Sequence, residues 1–226
     1  MMNHNPGLSS NVIYEDLCAK IEKLEYMPGD RLSENELCRL YGVTRHVIRN
    51  ALVLLKQRRL VEVYPQRGTY VSLIDMQYIS DILFMREAAE QEAIARIIEK
   101  GDQKDLIQRL KMAVEAQSEI VKEENYYEKF YTVDSLFHNA LFEAIAMPNV
   151  MNLIADSYIH IRRWRNFEIR SQERLQEIIT EHESILQALE QDDLLKARRI
   201  MHLHLDTVTR YSTTLREKEA QYFVSD

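Results

Sequence analysis

The sequence has few glycines and prolines, and it has two cysteines. Five glycines and four prolines occur in 226 residues, and three of the glycines lie between Gly29 and Gly68. Because both residue types interrupt helices, their scarcity after residue 76 predicts a mainly helical second part. Cys18 and Cys38 are too few and too far apart for a disulfide framework or a thiolate metal site. We therefore expect reduced cysteines in a cytoplasmic protein.

The apolar pattern argues against a membrane or secreted protein. No run of about 18 uninterrupted apolar residues is present, so we expect no membrane span. The N-terminal sequence MMNHNPGLSS lacks the apolar core of a signal peptide. With 46% hydrophobic and 29% charged residues, the composition is typical of a folded protein, and the length suits two domains.

The charge is unevenly distributed along the chain. The net charge is −7, but residues 1–74 carry ten basic and eight acidic side chains, a net charge of +2. The remainder carries 19 basic and 28 acidic side chains, a net charge of −9. A local basic region in an acidic protein is typical of contact with phosphates, so we expect nucleic acid to bind the first part.

Residues 11–74 have the pattern of a winged helix-turn-helix domain, preceded by a flexible arm at residues 1–10. Ser33 and Thr44 are suited to cap helices, and Gly42 is suited to end one. The turn Pro65-Gln66-Arg67-Gly68 separates two runs rich in β-forming residues, which predicts a hairpin wing. The predicted helices cover residues 11–24, 33–42 and 44–58, and the predicted strands cover residues 60–64 and 69–73.

The predicted DNA-binding residues lie on the third helix and on the wing. Arg45 and Arg49 are four residues apart and therefore project from one face, where Arg45 can reach a guanine edge in the major groove. Thr44, with the free N–H groups of the first helical turn, suits a phosphate. Arg67 and Gly68 at the wing tip suit the minor groove or the backbone. The alternative is a solvated face on a protein-binding winged helix.

The segment PGDRLSENELCRLYGVTRHVIRNAL, followed by LVEVYPQRGTYV, resembles the N-terminal domain of the GntR family of bacterial transcription regulators. The chain departs from the usual sequence pattern of the family at two places. Asn50 stands where an acidic residue is common, and Arg58-Arg59 stands where a glycine usually precedes the apolar residue. These departures affect operator preference and the end of the helix rather than the fold. The resemblance implies a DNA-binding regulator.

Residues 75–226 are predicted to form an all-α bundle of six helices, and the resemblance to GntR regulators implies that it is a helical effector-binding and dimerisation domain. The fold class is therefore mainly α, with a winged helix-turn-helix domain followed by a six- or seven-helix bundle. The change to helical periodicity near Asp75 places the domain boundary there. The six helices are predicted near residues 77–99, 103–122, 125–146, 148–170, 172–191 and 193–216.

Four polar residues interrupt the apolar faces of three of these helices. Asp134 and His138 are four residues apart on one inward face, and His182 and His204 lie in the apolar stripes of two later helices. A buried carboxylate is costly unless it is paired or binds a metal. One carboxylate and three imidazoles suit Zn²⁺, Ni²⁺ or Mn²⁺ with positions left open for a ligand. The alternative is four core residues that are hydrogen bonded separately.

The pattern Asp134-x3-His138, Glu181-His182 and Ala197-x3-Met201-x2-His204 resembles the metal site of the FCD effector domain, found in the FadR-like branch of the GntR family. The resemblance implies a divalent metal, zinc before nickel or manganese, that helps to bind a small carboxylate effector. It also covers nearly the whole chain.

Two arginines are predicted to bind the effector. Arg86 lies on an apolar helix stripe and can hold a carboxylate through its two-pronged guanidinium, although an Arg86–Glu90 pair is the alternative interpretation. Arg162 is the second candidate for the same cavity. His160 lies off the stripe of its helix, and we expect it at the surface.

These observations predict a homodimeric, metal-containing transcription regulator, a repressor by the commoner behaviour of the family, that releases or binds a palindromic DNA operator in response to a small organic acid. The alternative function is a metal-dependent enzyme with an accessory DNA-binding module, because such a metal site can activate water. The sequence lacks a recognisable second catalytic group. A nonspecific architectural DNA protein is disfavoured by the net charge of −7.

Overall fold

Helices and one small sheet make up the described part of the chain, as predicted. The computed structural model describes residues 8–122, 126–168, 172–206 and 217–225. In chain order the elements are α1 (Ser10–Glu22), β1 (Arg31–Leu32), α2 (Glu34–Tyr41), α3 (Arg45–Gln57), β2 (Val61–Tyr64), β3 (Gly68–Val71), α4 (Met76–Lys100), α5 (Lys104–Ile120), α6 (Tyr126–Ala144), α7 (Val150–Glu168), α8 (Gln172–Glu190), α9 (Leu194–Leu205) and a short 3₁₀ helix (Ala220–Tyr222).

Local sequence signals fix the ends of the first helices. The Ser9 hydroxyl accepts a hydrogen bond from the Val12 N–H at the start of α1. The Ser33 hydroxyl accepts one from the Glu36 N–H at the start of α2, as predicted for this cap. Gly42 ends α2 with a φ of 66°, a left-handed conformation that glycine adopts without a steric penalty. The helix-turn-helix geometry is therefore encoded locally.

The sheet is a three-stranded antiparallel wing in the order β1-β3-β2. Strands β2 and β3 form the predicted hairpin, with Val61 opposite Val71 and Tyr64 opposite Gly68. Strand β1 was not predicted, because two residues are too few to show an alternating pattern. It adds Arg31 to the edge of the wing, opposite Tyr70.

The chain forms two units, and each draws on more than one stretch of sequence. Within the described residues, the first unit contains residues 8–76, 156–167 and 217–225, and the second contains residues 77–122, 126–155, 168 and 172–206. The apolar core of the first unit joins α1, α2, α3 and the wing. Ile159 of α7 belongs to the same cluster and is 3% exposed.

The second half of α7 packs against the winged helix inside the first unit. The prediction that His160 lies at the surface is wrong: its side chain is buried, and Nε2 donates a hydrogen bond to the Arg58 carbonyl at 2.9 Å. The Arg163 guanidinium is also buried and donates to the Ser72 carbonyl and hydroxyl at 2.6 and 3.1 Å. Desolvation lowers the pKa of Arg163 to about 10. Periodicity within α7 alone does not reveal these partners.

The C-terminal segment pairs with the chain just after the wing. Ile74 forms a parallel β-bridge with Phe223. The Ile74 N–H donates to the Tyr222 carbonyl, and the Val224 N–H donates to the Ile74 carbonyl, both at 2.9 Å. Phe223 is buried with its ring 6.0 Å from that of Phe167, so this short segment covers apolar surface of the first unit.

The second unit is built from helices that pack pairwise. Contacts join α5 to α6 and to α8, and they join α8 to α9. The core lies between these helices and α4, and its members are apolar side chains such as Ile94, Leu110, Phe137, Ile179 and Met201. The inward stripes predicted for these helices therefore correspond to the observed core.

The helix ends differ from the predicted ones by one to a few residues. Pro148 precedes α7, which begins at Val150, rather than lying in its first turn. Helix α9 ends at Leu205, and the predicted continuation through residues 207–216 lies outside the described residues. Among the described helices, none is long and apolar enough to cross a membrane.

Candidate metal centre and DNA-binding face

Asp134, His138, His182 and His204 come together in the second unit, as the sequence pattern predicts. Helix α6 supplies the first two residues, which are one helical turn apart, and α8 and α9 each supply one histidine. All four residues are buried, with at most 1% exposure of each residue. One ligand atom from each residue lies within 4.8 Å of every other. The helix faces that form the core therefore also gather the polar cluster.

The distances within the cluster suit a shared cation. The Nε2 atom of His204 is 3.3 Å from Nε2 of both His138 and His182. Oδ1 of Asp134 is 3.8 Å from Nε2 of His138 and 3.7 Å from Nε2 of His182. Ligand atoms on a cation with bonds of about 2.1 Å are roughly 3.4 Å apart in a tetrahedral geometry and roughly 3.0 Å apart at the right angles of a five- or six-coordinate one. The residues present therefore fit a divalent metal without rearrangement of the helices.

Each imidazole is oriented by an acceptor on its other ring nitrogen. His138 Nδ1 lies 2.6 Å from Glu90 Oε2, and His204 Nδ1 lies 2.9 Å from Glu181 Oε2. Nδ1 of the third histidine, on α8, lies 2.9 Å from Oε1 of Gln117. Since these acceptors require a proton on Nδ1, the three Nε2 atoms present lone pairs to one another. Converging lone pairs repel in the absence of a cation, and this orientation is typical of metal-binding histidines.

The electrostatics keep the His182 ring neutral. Burial lowers the pKa of His182 well below its ordinary value, and the neighbouring His204, His138 and Arg86 lower it further. A neutral imidazole is the form that binds a metal. The Phe137 ring stacks on the His182 ring, with centroids 4.1 Å apart and an interplanar angle of 15°. The ring is therefore held both by its hydrogen bond and by packing.

Arg86 is buried in the second unit and forms an ion pair with Glu90, with Nε 2.5 Å from Oε1. Glu90 also lies within hydrogen-bond distance of His138, so Arg86 is linked to the buried polar cluster through one carboxylate. The structural alternative considered for Arg86 is thus present in the fold. Its binding of an effector stays a prediction.

Arg162 belongs to the first unit, where its Nε lies 2.8 Å from Oε1 of Glu22 and its guanidinium lies 5.6 Å from the Tyr158 ring centroid. The four cluster residues belong to the second unit. The effector role of Arg162 also stays a prediction, and its observed contacts are with the winged-helix unit.

The third helix of the winged-helix unit presents the predicted basic face. Thr44 has the extended backbone of an N-cap residue, but its side chain makes no capping hydrogen bond. Arg45 and Arg49 follow on the exposed side of α3, while Ile48 and Leu52 are buried on the opposite side. The free N–H groups of the first turn and the two guanidinium groups therefore face solvent together.

Both helix arginines contact side chains of α2. Arg45 Nη2 donates to Asn35 Oδ1 at 2.8 Å. Arg49 Nε lies 3.1 and 3.0 Å from the two carboxylate oxygens of Glu34. The hydrogen bond and charge of Glu34 raise the pKa of Arg49 above its ordinary value. Sequence analysis did not identify these α2 partners, because only the fold brings them opposite α3.

The wing places a further arginine beside the predicted DNA-binding residues. Arg67 is exposed at the turn, and Gly68 has a φ of 117°. A Cβ atom at Gly68 would lie 3.2 Å from Nε of Arg31, so the missing side chain lets Arg31 pack closely. A cavity of about 250 Å³ lies here, lined by residues that include Arg31, Arg45 and Gly68. Sequence analysis missed Arg31 because strand β1 was not predicted.

Two protein-family models match the two parts of this chain. The family model for the FCD domain matches residues 81–207, and the model for bacterial regulatory proteins of the gntR family matches residues 9–71. The chain belongs to the GntR family, in its FCD branch. The GntR match covers the winged helix-turn-helix, and the FCD match contains all four residues of the buried polar cluster.

Similar proteins align with almost the whole chain. An HTH-type transcriptional regulator in an unstable DNA locus of Streptomyces ambofaciens is 31% identical and covers 100% of this chain and 94% of its own. The HTH-type transcriptional repressor RspR of Escherichia coli K12 is 28% identical over 93% of this chain and 92% of its own. Both relatives are named as HTH-type transcriptional regulators, so the enzyme alternative is not favoured.

Solved structures share the fold. A GntR transcriptional regulator from Rhodococcus sp. RHA1 has a TM-score of 0.67 at 22% identity and covers 94% of this chain and 96% of its own. Escherichia coli McbR/YncC has a TM-score of 0.65 at 19% identity, over 92% of this chain and 97% of its own. These neighbours show that the fold is mainly helical and shared, while the family matches and the similar regulators show a DNA-binding transcription regulator of the GntR–FCD type.

Proposed function

We propose that this GntR regulator is a metal-containing repressor whose FCD domain senses a small carboxylate. The supporting observation is the convergence of three Nε2 lone pairs and one carboxylate oxygen inside a buried cluster. Imidazole and carboxylate ligands suit zinc first, with nickel and manganese as alternatives. A cytoplasmic homodimer is the form that we expect to act.

The cluster is suited to hold both a metal and a ligand. Four protein ligands leave positions open on a cation that accepts five or six, and a small organic acid has the oxygen donors to fill them. When bound, the cation supplies a Lewis-acidic centre for the carboxylate of the effector. Asp134, His138, His182 and His204 then act as fixed ligands. Arg86, linked to the cluster through Glu90, is the candidate to contact the effector.

The DNA-binding face would read one half of a palindromic operator. In a homodimer, two copies of α3 can enter major grooves at half-sites about one helical turn apart. We assign Arg45 and Arg49 to base edges or phosphates in the major groove and Thr44 to a phosphate. Arg67 and Gly68 are assigned to the minor groove or backbone. The repressor name carried by the similar protein RspR supports the direction of regulation.

A regulatory response requires that the acid bind one arrangement of the DNA-binding domains better than another. Helix α4 is the element that we propose to carry this coupling. It follows the wing after only a few residues and contains both Arg86 and Glu90. A ligand near the cluster would therefore act on the helix that leads directly to the DNA-binding domain.

Metal content tests the proposal. The double substitution His182→Ala and His204→Ala removes two of the four ligands, and we expect the purified protein to lose its metal in elemental analysis. His202→Ala is the matched control, because His202 lies on the same helix as His204 but its side chain is 53% exposed and pairs with Glu87.

We expect wild type and the His202→Ala control to hold one divalent ion per chain and to be stabilised by added metal. A ligand at 1,000 times its Kd stabilises a folded protein by about 4 kcal/mol, so a chelator should lower the Tm of these two proteins and not of the double variant. Equal metal content in wild type and the double variant would remove the metal site from the proposal.

A further inference from the structure

We propose that Arg31 binds a phosphate of the DNA backbone, in a cleft lined by β1, β3 and the first residues of α2 and α3. The inference rests on DNA binding by the winged-helix unit and does not depend on the metal centre. It adds a residue of strand β1 to the contacts assigned above to α3 and the turn of the wing.

Strand β1 directs the Arg31 side chain away from the core. Its two residues alternate, with Arg31 exposed and Leu32 buried at 3% exposure. The strand lies at one edge of the sheet, where Arg31 is opposite Tyr70 and Leu32 is opposite Thr69. The backbone pairing therefore places the base of the arginine side chain on the exposed edge of the wing.

The Arg31 guanidinium lies against the backbone of Gly68. A Cβ atom on Gly68 would be 3.2 Å from Nε and 3.6 Å from Nη2 of Arg31. The φ of 117° at Gly68 also favours glycine, because residues with a Cβ rarely adopt it. Packing against this backbone limits the freedom of the long side chain. An arginine restrained in this way loses less conformational entropy when it binds a ligand.

The cleft carries an excess of positive charge. Arg31 and Arg45 line it, together with the carboxylate of Glu34, which is hydrogen bonded to Arg49. Arg45 donates to the neutral amide of Asn35, and the Arg31 guanidinium has no hydrogen-bond or ion-pair partner within the described part of the chain. These three arginines and one glutamate have a net charge of +2.

The size and polarity of the cleft suit a phosphate group. Its volume is about 250 Å³, well above the roughly 10–15 Å³ that one water needs. Of the described residues that line it, only Leu32 has an apolar side chain, which disfavours an apolar ligand. A guanidinium presents a planar set of N–H donors that matches the oxygens of a phosphate.

The position of the cleft favours a DNA phosphate over a free anion. The cleft is bordered by Arg45 at the start of α3 and by Gly68 of the wing, both assigned above to DNA. With α3 in the major groove and the wing at the adjacent minor groove, the backbone that separates the two grooves passes between them. Arg31 lies between these two elements and is therefore placed to meet that backbone.

The test compares Arg31→Met and Arg31→Lys with wild type in the full-length protein. Affinities for an operator selected from random DNA and for unrelated DNA are measured by fluorescence anisotropy between about 50 and 200 mM salt. One phosphate contact contributes about 0.9 to the slope of log affinity against log salt concentration. Arg96→Met is the matched control, because it removes the same charge from an exposed arginine of α4.

For Arg31→Met we expect about 10-fold weaker binding to both DNAs at the lowest salt concentration and a slope smaller by about 0.9 per bound chain. The ratio of the two affinities should stay the same, since a phosphate contact carries no sequence information. Arg31→Lys keeps the charge and should keep the slope of wild type. Arg96→Met should match wild type in every measurement.

Uncharged phosphates locate the contact on the DNA. Operator phosphates are replaced one at a time by methylphosphonates. We expect a position in the half-site where this change weakens wild type about 10-fold and does not weaken Arg31→Met further, because the pair of changes removes one shared interaction. Arg31→Lys should respond to the same position as wild type does.

An unchanged slope for Arg31→Met, a loss confined to the operator, or the lack of such a methylphosphonate position would overturn the inference. So would unchanged DNA binding together with a Tm that inorganic phosphate raises in wild type and not in Arg31→Met, since this result would assign the cleft to a free anion. Each of these outcomes leaves the proposed metal centre and the role of Arg45 intact, because those have their own tests.

Discussion

Acidification should destabilise the winged-helix unit through one buried histidine, His160. Its Nε2–H donates to the Arg58 carbonyl in the folded protein. The pKa of His160 is lowered to about 4 in total: burial has the largest effect, Arg163 and Arg59 also lower it, and the Arg58 carbonyl and Asp75 oppose the shift. In the unfolded chain the imidazole has its ordinary pKa of about 6.5. The unfolded state therefore binds more protons between about pH 6.5 and pH 4.

The sign and size of the effect follow from this difference. The stability linked to His160 is fully present above about pH 6.5, is lost as the pH falls, and reaches its limit below about pH 4. Each pKa unit corresponds to about 1.4 kcal/mol, so the full difference amounts to roughly 3 kcal/mol. Between pH 7 and pH 5 the linkage relation gives a loss of about 2 kcal/mol from this group.

The substitution His160→Gln isolates the effect, since a glutamine amide can donate to the same carbonyl and does not titrate. Trp164, the single tryptophan, is fully buried in the first unit, so the midpoint of its fluorescence change in urea reports the unfolding of that unit. We expect wild type to lose about 2 kcal/mol more than His160→Gln between pH 7 and pH 5. His46→Gln, at an exposed histidine in the same unit, is the control.

Equal losses in wild type and His160→Gln would refute the reasoning, because every other titrating group is present in both proteins. Any contribution from the buried histidines His138, His182 and His204 cancels in the same comparison. The result therefore depends only on the environment of His160.

Two further substitutions test the DNA-binding unit. Arg45→Ala should lower the affinity for an operator selected from random DNA by about 10- to 100-fold in a mobility-shift assay. The control Arg96→Ala, at an exposed arginine of α4, should leave this affinity unchanged. Equal affinities of wild type, Arg45→Ala and Arg96→Ala would exclude Arg45 from specific contact. Phe223→Ala should speed hydrogen exchange at the Ile74 amide about 10-fold or more, because the segment that accepts its hydrogen bond loses its buried anchor. Val224→Ala, at a half-exposed site, should not, and unchanged exchange in Phe223→Ala would show that the aromatic ring does not hold the segment.

The buried polar cluster could be predicted because each of its four residues is an exception within an apolar stripe. Asp134 and His138 are neighbours on one helix, and His182 and His204 each interrupt a regular pattern, so helix geometry alone turns them inward. The hydrogen-bond partners of the histidine Nδ1 atoms could not be predicted in this way. Gln117 lies on a helix where no pattern marks it, and only the packing of α5 against α8 brings it to His182.

In the DNA-binding face, too, local features could be predicted from the sequence, whereas contacts made by the fold could not. Caps, the glycine turn and the basic spacing made α3 and the hairpin predictable from local sequence. Strand β1 is too short for a periodic signal, so the approach of Arg31 to Gly68 was not foreseen. His160 was misplaced because a helical wheel assigns one inward face, and α7 contacts the winged helix with a face outside its apolar stripe.

The second half of α7 has a practical consequence for dissecting this regulator. A fragment ending at residue 76 would lack Ile159, which completes the first apolar core, and would leave the Ser72 carbonyl without the Arg163 guanidinium. Such a fragment exposes apolar surface that the intact chain covers, which favours aggregation. A minimal DNA-binding fragment therefore needs residues 156–167 and 217–225 joined to the first 76 by artificial linkers, rather than a simple truncation.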